Sequence, residues 1–164
     1  MIAEIGLAAL WLATALAVLQ LVAGGLALRA PEGESSPLSI YVRPAAIIQA
    51  GLAVLAFAML LWTFAITDLS VRLVATNSHS MKPMLYKLTG TWGNHEGSML
   101  LWIAVLALSG GMIAALEKRL PERTMNATLA VQGFVALGFY TFLLLSSNPF
   151  ERLPVPAAEG MGLN

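Results

Sequence analysis

The sequence predicts an all-α integral membrane fold, with four transmembrane helices and a roughly 30-residue outer loop between the second and third. Two observations predict it. Only 11% of the residues are charged, against about 25% in soluble domains, while 58% are hydrophobic and the mean hydropathy is +0.77. Ionic groups this scarce cannot cover a globular surface for 164 residues, so lipid must do part of the solvating. The apolar residues also gather into four runs of roughly 20 residues, the length a helix needs to cross hydrocarbon.

The runs are Ile5–Leu28, Pro44–Ile66, Gly97–Leu116 and Met125–Leu145, and none has an acidic or basic residue in its interior. Some stretches would suit β-structure, but an open sheet edge in hydrocarbon leaves backbone groups unpaired, so helices are expected. A secretory signal peptide is the competitor for the first run. No Lys or Arg precedes it, its apolar core is too long and no clear small-x-small cleavage site follows, so it reads as a retained span. Arg29-Ala30-Pro31 closes that span and opens the Gly/Ser/Pro-rich link Pro31–Pro37. Pro44 is expected in the first turn of the second helix, where a missing N–H is tolerated. Glu117–Pro121 ends the third span, and Asn148-Pro149 the fourth, because a residue before proline is pushed out of helical geometry. The chain thus divides into a four-helix domain over 1–147 and a flexible outer tail over 148–164, which holds too few apolar residues to anchor itself.

Lys and Arg near the span ends set the orientation. Arg29, Arg43, Lys118, Arg119 and Arg123 flank the two short links, while Arg72, Lys82, Lys87 and Arg152 are spread over the longer segments of the other side. Both termini and the loop Thr67–Glu96 are therefore expected outside, with the short links in the cytoplasm. That topology sets Gln20, Gln49 and Gln132 about 12, 8 and 10 Å from the cytoplasmic ends, at 1.5 Å of rise per residue. Amides at similar depth on three helices either pair across the bundle or face their own backbone and small neighbours.

The outer loop carries most of the polar residues of interest. Asp68–Val74 alternates apolar and polar residues and is expected to lie extended on the membrane surface. Met84, Leu85, Leu88 and Trp92 recur at helical spacing, the pattern of an amphipathic helix at the interface. Trp92 suits the boundary, with an apolar ring and a wet N–H. Gly93 and Gly97, four apart, would permit close helix approach if the segment is helical. Glu96, at the head of the third span, is favoured there by the helix dipole. His79 and His95 fall on one side of the membrane, as a bis-imidazole site would require. The alternative for His95 is an interfacial hydrogen-bonding role.

Other chemistry is excluded or unsupported. The formal net charge is zero and no basic stripe exists, which argues against a nucleic-acid partner. Without cysteine there are no disulfides, thiolate metal sites, iron–sulfur clusters or cysteine nucleophiles. No nucleophile elbow, P-loop, zinc motif or dinucleotide fingerprint occurs, so no metal ligands are assigned. Gly24-Gly25 and Gly110-Gly111 read as packing points, and Asn126-Ala127-Thr128 as a chance glycosylation triplet.

Five segments, in order, resemble the CcmF/NrfE group of cytochrome c haem lyases. They are Met1–Gly6, Val42-Arg43-Pro44, Asn77-Ser78, the run from Trp92 through Gly93, His95, Glu96, Gly97 and Ser98 to Trp102, and Ser147–Arg152. The resemblance covers essentially the whole chain. It implies cytochrome c maturation at the outer face of the bacterial cytoplasmic membrane, where haem from a chaperone is attached to reduced apocytochrome c. It also implies haem b as cofactor, but the family's haem-handling histidines and tryptophan-rich segment lie beyond this length, so their ligands are not carried over. The chain is accordingly expected to be the N-terminal part of a haem lyase, truncated, excised or split, and not catalytic without the remainder or a partner subunit. Trp92, Gly93, His95, Glu96, Gly97, Ser98 and Trp102 are expected to shape the outer end of the bundle, with structural packing at the helix start as the competing role. A non-catalytic membrane scaffold in an assembly complex is the alternative. A conducting bundle is disfavoured because no span contains an ionisable residue.

Overall fold

The computed structural model describes residues 1–31 and 34–162 of the chain. Among the described residues six helices follow one another: α1 (Ile2–Ala27), α2 (Ser39–Ala65), α3 (Arg72–Asn77), α4 (Met84–Gly90), α5 (His95–Leu116) and α6 (Glu122–Ser146). Four of them, α1, α2, α5 and α6, are long and apolar enough to cross a membrane. They form an antiparallel ring in which α1 packs on α2 and α6, and α5 closes the other side between α2 and α6. One end of the bundle gathers the N-terminus, the segment 66–94 and the segment 147–162 (the loop end); the other carries the two short links (the link end).

The helices are packed through small residues. Ala3, Gly6, Ala9, Ala13, Ala17, Ala23 and Gly24 of α1 are buried along one face together with Gln20, and Ala45, Ala46, Ala50, Ala53 and Ala56 do the same on α2. Trp11, Trp62, Trp102 and Phe134 face outward instead. Bulky apolar side chains on the outer face, with alanine and glycine at many helix contacts, suit helices whose outer solvent is lipid. Gly24, Gly110 and Gly111 are contact points, where a Cβ would press on Ala130, Gln132 and Ala50 respectively. Gly25 meets nothing and is not one.

Of the three amides, Gln20 and Gln132 pair across α1 and α6, and Gln20 also donates to the Leu129 carbonyl. Gln132 reaches on to the Leu106 carbonyl of α5 at 3.5 Å. Gln49 takes another partner, donating to the Tyr140 hydroxyl at 3.4 Å. These polar contacts lie between an apolar cluster at the loop end, built on Leu10, Leu60, Phe64, Leu100, Tyr140 and Phe150, and a smaller one at the link end around Val42, Met125 and Leu129.

The structure corrects several local expectations. α2 begins at Ser39, so Pro44 lies inside the helix and not in its first turn. Its missing N–H leaves the Ile40 carbonyl without its helical donor. Residues 72–77 are helical, not extended, and the consecutive residues Leu73, Val74 and Ala75 are all buried, which an alternating surface strand would not allow. Only Val71 keeps an extended pairing, a bridge to Arg152. Gly93 and Gly97 do not share a helix, since Gly93 sits in the turn before α5. The stretch after α6, which has few apolar residues of its own, is laid along the loop by backbone hydrogen bonds. Arg72 donates to the Glu151 carbonyl, Leu153 to Ser70, Met161 to Ala75 and Gly162 to Ser78.

Candidate functional site at the loop end

The turn from α4 to α5 is built on Asn94. Its Oδ1 accepts the Gly97 N–H at 2.7 Å, capping the start of α5. Its Nδ2 donates to the carbonyls of Gly90 at 2.7 Å and Thr91 at 3.3 Å, so the same side chain also closes the end of α4. This brings the Thr91 carbonyl onto Gly97, where a Cβ would collide with it. Ser98 bonds back to the His95 carbonyl at 2.9 Å. Of the residues singled out in the sequence, Gly97 and Ser98 are therefore occupied in forming the helix start.

His95 is exposed at the rim. Its ring meets Phe142 of α6 edge-on, with centroids 5.7 Å apart, and its Nδ1 faces the Ser147 hydroxyl at 3.4 Å. His79 has different company, with its Nδ1 3.9 Å from the Glu159 carboxylate. The two histidines are thus engaged separately and do not form an opposed imidazole pair. Glu96 lines a small polar cavity with Arg72, Asn77, Asn148 and Glu151. Trp92 and Trp102 are exposed, the latter at 67% on the outer face of α5.

Long-range contacts hold this end together. Phe150, only 2% exposed, seats its ring against Gly6 of α1. Arg152 binds the Glu4 carboxylate at 2.7 Å and Asp68 at 3.2 Å, and also contacts the Ser70 hydroxyl. Arg72 pairs with Glu151 at 2.7 Å. Glu159 accepts from the Ser80 hydroxyl at 2.6 Å and from the backbone N–H groups of Gly160 and Ser80. The Ser80 hydroxyl first, then those two amides, hold the Glu159 carboxyl down to about 2. Gly160 passes beneath the Ser78 carbonyl, where a side chain would not fit.

Sequence reasoning missed Asn94 and Glu159, and although Phe150 and Arg152 lie in the segment Ser147–Arg152 that it singled out, it did not foresee their contacts. Asn94 carried a usable signal, an asparagine directly before an apolar helical run. The others take their roles from partners 70 or more positions away, which no local pattern reveals.

These features define a polytopic membrane bundle whose loop and C-terminal segment assemble one polar end. No family model matches the chain. It is 46% identical over 164 residues to the cytochrome c-type biogenesis protein ccl1 of Rhodobacter capsulatus, covering 100% of this chain and 25% of that protein. It is 45% identical to the cytochrome c-type biogenesis protein CycK of Bradyrhizobium diazoefficiens, over 100% of this chain and 24% of that one. A solved structure of a cytochrome c haem lyase, CcmF, matches with a TM-score of 0.84 and 26% identity, over 92% of this chain and 25% of the other. The chain corresponds in sequence and fold to the N-terminal quarter of the CcmF family of cytochrome c-type biogenesis proteins. It spans about a quarter of the length of those relatives.

Proposed function

We propose that the chain serves as the N-terminal module of a cytochrome c haem lyase, acting in cytochrome c maturation together with the remainder of that lyase. The observation that carries this reading is the convergence of its motifs. Met1–Gly6, Asn77-Ser78, the Trp92–Trp102 run and Ser147–Arg152 all meet at the loop end, through Gly6 with Phe150, Glu4 with Arg152, His95 with Ser147, and the cavity that Asn77, Glu96 and Asn148 line together. In this reading that end faces the outside of a bacterial cytoplasmic membrane, with both termini outside. The distribution of Lys and Arg supports it, since Arg29, Arg43, Lys118, Arg119 and Arg123 cluster at the link end.

The residues' roles follow from their positions. Gly97, Ser98 and Gly93 shape the turn that presents His95 and Glu96 at the rim, and Trp92 and Trp102 seat that rim at the lipid boundary. His95 and Glu96 offer hydrogen-bonding groups toward a docking haem chaperone or apocytochrome c. We assign no haem ligand within this chain, because its two imidazoles keep separate company, His79 with the Met81 N–H and His95 with Phe142 and Ser147. In this reading ligation of haem b falls to the rest of the lyase.

Deleting the chain tests the reading. Haem-stained gels of membrane and soluble cytochromes c are expected to lose covalent haem, and to recover it on re-expression. Undiminished staining would overturn the proposal in favour of a scaffold with no part in haem attachment.

A further inference from the structure

Of the four neighbouring helix pairs, α5 and α6 touch least. Between them runs an open groove of about 350 Å³ lined by His95, Met99, Val135, Gly138, Phe139 and Phe142. Its walls are apolar, its one titratable group is His95 at the upper rim, and its floor is Gly138, where an added Cβ would meet nothing within 4 Å. Other outward faces carry bulky side chains such as Trp11 and Trp62, although Gly25 and Gly51 also lie open there. An exposed glycine among apolar side chains on a membrane-spanning helix is a surface against which a further helix can pack closely.

We infer that this groove seats a membrane-spanning helix supplied by the rest of the haem lyase, its small-residue face over Gly138 and a hydrogen-bonding side chain at the level of His95. The inference rests on the lyase reading above. Length favours a protein occupant over lipid. The chain accounts for only 25% of the solved CcmF lyase it matches at a TM-score of 0.84, so most of such a protein must pack around this bundle.

Photo-crosslinking in cells that carry the whole maturation machinery tests this. The residue p-benzoylphenylalanine is placed at Gly138 and, as a second probe preserving the aromatic wall, at Phe142. Gly25 on α1, which also meets nothing, is the control. Adducts from Gly138 or Phe142 are expected on an apolar, membrane-spanning peptide of the lyase remainder, identified by mass spectrometry, with Gly25 giving lipid adducts only. Lipid adducts alone at both groove positions, or adducts to a second copy of this chain, would overturn the inference. Haem staining in the strain lacking the chain separates the two readings. If attachment depends on the chain while the groove reports only lipid, the groove inference alone fails; if attachment does not depend on the chain, the lyase reading fails with it.

Discussion

The ring of Phe150 fills the space that a side chain on Gly6 would need. The first turn of α1 and the residues after α6 are thereby interlocked, with the Asn148 carboxamide holding the Phe150 N–H at 2.9 Å in place. Removing that buried ring leaves a cavity, so Phe150→Ala is expected to destabilise the bundle by about 3–5 kcal/mol. Gly6→Leu should be comparably damaging by overpacking. Unfolding in detergent micelles measures both, and wild-type stability in either variant would contradict the interlock.

Asn94 caps two helices at once, so its replacement exposes orphan groups at both. Asn94→Ala is expected to cost roughly 1–2 kcal/mol, the upper part of the range for an N-cap. Gly97→Ala should be worse, because the Thr91 carbonyl has nowhere to retreat while Asn94 holds it. Amide hydrogen exchange at the start of α5 reads the effect directly. Unchanged protection of Gly97 and Ser98 in Asn94→Ala would refute the double cap.

Thr67 ends α2 in the left-handed region, with φ 54°. Its N–H bonds the Phe64 carbonyl at 3.1 Å and the Asp68 N–H bonds Thr63 at 2.9 Å, a helix ending that glycine ordinarily serves. A β-branched residue there is strained, so Thr67→Gly is expected to stabilise by roughly 0.5–1 kcal/mol. A loss of thermal stability in that variant would show that the threonine makes a contribution outweighing its backbone strain.

Acid should release the C-terminal segment through Glu159. Its carboxyl is held at about 2, below the ordinary value of 4.5, by Ser80 and the neighbouring amides. A depressed folded-state value means the contribution is whole above 4.5 and is lost as the pH falls through about 2. Hydrogen exchange of residues 157–162 should therefore accelerate across that window after correction for intrinsic rates. Glu159→Gln should show faster exchange already at neutral pH and no such step. A step retained in the variant would assign the transition to another group.

The four spans were legible in the sequence because uncharged runs of that length have few alternatives in water. Helix starts were less legible. Ser39–Arg43 is polar enough to resemble a link, and Pro44 looked like a first-turn residue, although the helix continues through it. The loop was hardest, since the alternation in Asp68–Val74 matched a strand while Leu73 and Val74, adjacent in sequence, are both buried in a short helix. The candidate rim was visible as a motif, but what holds it was not. Arg152 finds Asp68 and Glu4 only after the chain has crossed the bundle, and Asn94 was not among the residues that carried the resemblance.

Comparing the two ends of the bundle in living cells probes the heart of the account. Arg152→Ala and Gly97→Ala disturb the loop end; Arg123→Gln removes only an exposed contact to the Ala30 carbonyl at the link end. At matched membrane abundance, the two loop-end variants are predicted to lose covalent haem on cytochromes c, and Arg123→Gln to retain it. Wild-type haem staining in both loop-end variants, or equal loss in Arg123→Gln, would contradict the assignment of function to that end.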